Sequence, residues 1–161
     1  MNLARCLCVV SLALGAFASL GAVEAQDALV GSWVLDPASS KGPPQIAATA
    51  GTLEITDAGG GKFMSVSEAT VGGVTGRSET TYSIDGKDYA VTATPSQPGV
   101  AITQSIERAS ANVYNSSLKL NGQLIATAVT ELSNDGKTLT QTTTGVGQFA
   151  TLSSTMVFQR E

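Results

Sequence analysis

The chain has 161 residues, 9 Lys and Arg against 13 Asp and Glu, a net charge of −4, and no histidine. A mildly acidic chain with scattered lysines has no basic face to seek nucleic acid. Without histidine there is no Ser-His-Asp triad, no axial imidazole for haem and no histidine-ligated metal.

Residues 1–5 are short and basic, residues 7–20 are apolar, and Val23-Glu24-Ala25 puts small residues where a signal peptidase reads. This is the pattern of a secretory signal peptide, residues 1–25, cleaved before Gln26. An exported protein, periplasmic or extracellular, is expected, with residues 26–161 as one domain. Cys6 and Cys8 both fall in the signal segment, so the mature chain is expected to have neither a disulfide nor thiolate chemistry. No later apolar run is long enough for a transmembrane helix, so an integral membrane protein is not expected.

From Gly31 onward, turn signals recur at 58–61, 72–73, 85–86, 95–99, 121–122, 134–136 and 145–147. The segments between them are short and rich in Thr, Val, Ile, Ser and Tyr, which suit a pleated surface. Asn-Gly and Asp-Gly supply the positive φ angles of tight hairpins. Strands are predicted near 31–36, 50–57, 62–71, 76–84, 88–94, 100–108, 112–120, 123–132, 137–144 and 150–160. Pro37, Pro43 and Pro44 make 37–45 a loop. The fold class is all-β, an antiparallel meander of eight to ten strands. Closing it into an up-and-down barrel removes the exposed edges; a two-sheet sandwich is the alternative.

Alternation assigns the faces. Val100, Ile102, Gln104, Ile106 and Arg108 share one parity, as do Tyr114, Ser116, Leu118 and Leu120. Leu152, Ser154, Met156 and Phe158 share another. Apolar faces diluted by small polar groups fit a barrel with a modest cavity. The candidate lumen residues are Ile102, Gln104, Ile106, Arg108, Tyr114, Leu118, Met156 and Phe158. Arg108 is either a polar handle for a ligand or a solvated rim residue.

"GSWVLDPASSKGPP" at 31–44 and "STMVFQRE" at 154–161 resemble the two ends of a calycin-type barrel, the superfamily of lipocalins and fatty-acid-binding proteins. The resemblance implies that Gly31 and Trp33 on the first strand meet Arg160 on the last, the guanidinium over the indole, to close one end. More closely, Gly31, Trp33, Leu35, Ala38, Ser40 and Lys41, with Asp135-Gly136-Lys137, resemble bacterial secreted lipocalin-like proteins of uncharacterised function. Two departures qualify this. Met156 and Phe158 stand where fatty-acid-binding proteins carry an Arg-x-Tyr pair that holds a carboxylate. The connection from 37 to 49 is too short and proline-rich for the paired helices that lid such barrels.

Three function classes follow. The first is a non-catalytic binding protein holding a small apolar or amphipathic ligand in the lumen, with no cofactor and no metal. The second is a protein-interaction module, such as a secreted protease inhibitor, contacting its partner through loop 37–45. The third is a cofactor-free cyclase or isomerase, which needs a buried inward carboxylate or tyrosine.

Overall fold

The computed structural model describes residues 27–161, so the expected signal peptide lies outside the described residues. Ten strands follow one another: β1 Gly31–Leu35, β2 Ala48–Gly59, β3 Lys62–Val71, β4 Val74–Tyr82, β5 Tyr89–Thr94, β6 Ile102–Ser110, β7 Val113–Leu120, β8 Gln123–Leu132, β9 Thr138–Gly145 and β10 Ser154–Arg160. Each pairs antiparallel with its neighbours in sequence, and β1 also pairs with β10, closing the sheet into a barrel. The fold is an up-and-down barrel, not a sandwich, and none of the ten strands is left with an open edge. Among the described residues no helix is long and apolar enough to cross a membrane.

The hairpins sit where the turn residues stand. Asn121 and Gly122 link β7 to β8 with φ of 49° and 79°, the two positive angles of a turn that matches strand twist. Gly72-Gly73 links β3 to β4 in the same way. That short turn starts β4 two residues earlier than predicted.

The last strand is the one most shortened relative to the sequence reading. In place of a single strand over 150–160, Gly147–Leu152 is a 3-10 helix and only Ser154–Arg160 is strand. Phe149 N–H donates to the Val146 carbonyl (3.0 Å) and Ser153 N–H to the Ala150 carbonyl (3.1 Å). These local bonds replace ladder pairing and lift Leu152 off the inward face of β10. Val100 also lies outside its strand and is exposed.

Strand direction sorts the connections to two ends. At one end lie the 36–47 loop, the turns at 72–73 and 121–122, the 95–101 loop and the 3-10 helix. At the other lie the remaining hairpins, the segment 27–30 and Glu161. The tight core belongs to this second end: Leu29, Trp33, Tyr82, Ile106, Tyr114, Leu132 and Leu139 are buried together with Leu35, Ile55 and Phe158. Phe63 and Tyr82 add a ring pair with centroids 5.9 Å apart.

Candidate functional site

Trp33 and Arg160 stand opposite each other across the β1–β10 ladder. Arg160 Cζ sits 4.1 Å from the Trp33 ring centre, a cation–π contact made stronger by burial of the indole. The indole is 1% exposed, and its Nε1–H donates to the Leu29 carbonyl at 3.0 Å. Arg160 donates from Nε to the Gly136 carbonyl (2.7 Å), from Nη1 to Val30 (2.9 Å) and from Nη2 to Ala28 (2.7 Å). One side chain thus joins the N-terminal segment, β1 and the β8–β9 turn. At Gly31, φ is +150°, and a Cβ there would collide with the guanidinium. Glycine is required by both the backbone angle and the space.

A second polar group seals the same end. The Asp27 carboxylate, 6% exposed, pairs with Arg108 and accepts from the Tyr114 hydroxyl (2.8 Å) and the Leu29 N–H (3.0 Å). Arg108 also donates to the Ala111 carbonyl (3.1 Å) and lies 4.8 Å from the Tyr114 ring centre. Burial, and then the bond to Asp27, push the Tyr114 phenol above its ordinary range. Burial, and then the Asp27 charge, do the same to Tyr82. Both phenols stay protonated because their anions would be desolvated beside a carboxylate.

Above this sealed floor the barrel encloses a cavity of about 420 Å³, walled by residues from all ten strands. That volume lies in the range of small-molecule sites. Of the candidate lumen residues, Ile102, Gln104, Ile106 and Leu118 line it from β6 and β7. Tyr114, Met156 and Phe158 line it lower down and from β10. Arg108 does not line it. Its parity is inward, but it lies at the sealed end, where Asp27 and the Ala111 carbonyl hold its guanidinium. The polar-handle reading of Arg108 is therefore corrected.

The wall alternates in character. Leu35, Leu53, Ile55, Met156 and Phe158 make an apolar side across β10, β1 and β2. On β3 and β4 three of the hydroxyls satisfy one another or the backbone, Ser67 with Ser78 at 2.8 Å and Thr80 donating to the Ala90 carbonyl at 2.9 Å, while Ser65 makes no such bond to another described residue. On β7 to β9, Ser116, Thr130, Gln141 and Thr143 face the cavity. Sequence reasoning groups Ser116 with its face but passes over Thr130, Gln141 and Thr143. The signal is there: Leu139, Gln141 and Thr143 share the inward parity of β9.

No Lys or Arg lies on the wall, and Glu68, which borders it, has the outward parity of β3, opposite to that of Ser65 and Ser67. Glu68 is half exposed and meets Arg77 at 3.2 Å, which also meets Glu79 at 3.2 Å. Charge pairs this exposed add little stability. They lie on the outer face and put no charge in the lumen.

The loop 36–47 borders the cavity end without a helix. Asp36 accepts from the N–H groups of Ala38 (3.1 Å) and Ser39 (3.2 Å) and from the Ser39 hydroxyl (2.7 Å). These bonds hold the Asp36 carboxyl below its ordinary range, the Ser39 hydroxyl contributing most. Lys41 then pairs with Thr155 through two backbone bonds of 2.7 Å, and the Val157 N–H donates to the Ser40 hydroxyl at 3.0 Å. The loop is strapped to β10.

No protein-family model matches the chain, and no curated protein matches it by sequence. Solved structures do match it. Fatty-acid-binding protein 1 of Echinococcus granulosus aligns with a TM-score of 0.59 at 16% identity, over 84% of this chain and 98% of that one. A single-residue mutant of the fluorescent protein UnaG aligns at 0.57 and 16% identity, over 83% and 96%. A second mutant of UnaG aligns at 0.55 and 18%, over 82% and 95%. The chain therefore shares the closed antiparallel barrel of these proteins, and at such identities the likeness is one of fold.

Proposed function

We propose that the protein binds a small apolar or amphipathic molecule in its lumen, without covalent chemistry. The observation that carries this reading is the cavity of about 420 Å³ standing over a sealed, tightly packed floor. A barrel needing only stability gains by filling its interior, because each unfilled volume forfeits packing. Here Ala93, Ala126, Ala128 and several Ser and Thr residues keep the wall short. The kinship in fold with a fatty-acid-binding protein supports the same reading.

Titration with 1,6-diphenyl-1,3,5-hexatriene, an uncharged apolar fluorophore, tests it. Saturable binding at one site per chain is expected. Ala128→Phe, which puts a ring into the lumen, is expected to abolish it while leaving the circular dichroism spectrum unchanged. Equal binding to both proteins would place the dye outside the barrel and overturn the reading.

Residues 1–25 fit this role as an export signal. Sequencing the N-terminus of the exported chain is expected to begin at Gln26; a retained Met1 would contradict it.

A further inference from the structure

Resting on the lumen-binding reading, we infer that the ligand is an uncharged amphiphile whose hydroxyl, carbonyl or amide group is held by a polar patch centred on Gln141. The patch is built by register. Thr130 on β8 stands directly opposite Gln141 on β9. Thr143 is the next inward residue along β9 and stands opposite Ala128, which in turn stands opposite Ser116 on β7. Side chains opposite each other on one face of an antiparallel sheet are neighbours. The four residues therefore form one continuous surface.

Ser116, Thr130, Gln141 and Thr143 make no side-chain hydrogen bond to another described residue, unlike the Ser67–Ser78 pair and Thr80 across the barrel. No polar side-chain atom among the described residues is sealed away without a partner. The patch therefore opens onto the cavity that its residues line. It offers donors and acceptors together, since an amide and three hydroxyls each supply both. A ligand that displaces water from these groups must replace the lost hydrogen bonds, and one with a single uncharged polar group can do so.

Charge argues the same way. A carboxylate or phosphate drawn into the lumen would leave water without meeting a cation, because no Lys or Arg lines the wall. Glu68 points outward to Arg77, so the described wall presents no carboxylate to the lumen either. Neither an anion nor a cation would meet a counterion there. Met156 is the register partner of Gln141 on β10, and with Phe158 it borders the patch, while Leu53 and Ile55 face it from β2; together they provide the apolar surface for the rest of the molecule.

Retinol and retinoic acid share a skeleton and differ in the end group, hydroxyl against carboxylate. Fluorescence titration of the full-length mature chain at neutral pH is expected to show retinol binding about tenfold or more tighter than retinoic acid. Gln141→Leu is expected to weaken retinol about tenfold and to leave 1,6-diphenyl-1,3,5-hexatriene unchanged or tighter. Retinoic acid binding as well as retinol overturns this inference. So does an equal loss of retinol and the hydrocarbon in Gln141→Leu, which would mark a structural role. In both cases hydrocarbon binding to the wild type keeps the lumen reading intact. If the wild type binds none of the three probes, the lumen reading fails and this inference with it.

Discussion

Arg160 is the side chain on which one end of the barrel depends. It stacks on Trp33 and donates to three carbonyls, two in the segment 27–30 and one in the β8–β9 turn. Arg160→Lys keeps the charge but loses the planar fork, so it is expected to destabilise nearly as much as Arg160→Ala. A loss of about 3 kcal/mol is expected for either, read from urea unfolding midpoints. Recovery of wild-type stability by lysine would show that charge alone suffices. The phenols give a second test at this scale. Tyr82 and Tyr114 are raised above the ordinary tyrosine value of 10.0 when folded. Folded protein then holds protons that unfolded chain releases above that value. Their contribution to stability is full below it and is lost as pH rises beyond it. Phenolate absorbance is expected to show these two tyrosines ionising together with alkaline unfolding. Titration of both near 10.0 in folded protein would contradict their burial. The Gly31, Trp33 and Arg160 contact is legible in sequence because it rests on three residue types at two chain ends. Sequence leaves Arg108 between ligand handle and rim residue because parity names a face and not a depth. Its partner Asp27 precedes the first strand and belongs to no pattern.

At the scale of elements, the loop 36–47 behaves as a strap. Ser40 accepts from the Val157 N–H and donates to the Asp36 carbonyl at 2.7 Å. Ser40→Ala leaves that N–H without its partner and is expected to cost about 1 kcal/mol. Faster amide exchange at Lys41 and Val157 should accompany it, with β6 to β8 unaffected; unchanged exchange would mean the strap does not depend on the hydroxyl. Strands are legible where turn chemistry bounds them: Asn121-Gly122 and Gly72-Gly73 mark their hairpins plainly. Ala150-Thr151-Leu152 carries no such mark, so the second half of the 3-10 helix reads as strand. Its helicity comes from local bonds beside the β9 end, which composition does not encode.

At the scale of the molecule, the ladder between β1 and β10 turns a meander into a container. Closure is legible as the simplest way to remove two edges from ten short strands. The cavity is less so. Its volume depends on the side chains of all ten strands at once, and the Gln141 patch exists only because β7, β8 and β9 align in one register. The proposed role of this container is to carry a small molecule. Native mass spectrometry of the gently purified protein tests it most directly. A mass above that of the chain, lost on denaturation and absent in Ala128→Phe, is expected. A bare chain mass, still bare after incubation with a lipid and metabolite extract, would contradict it.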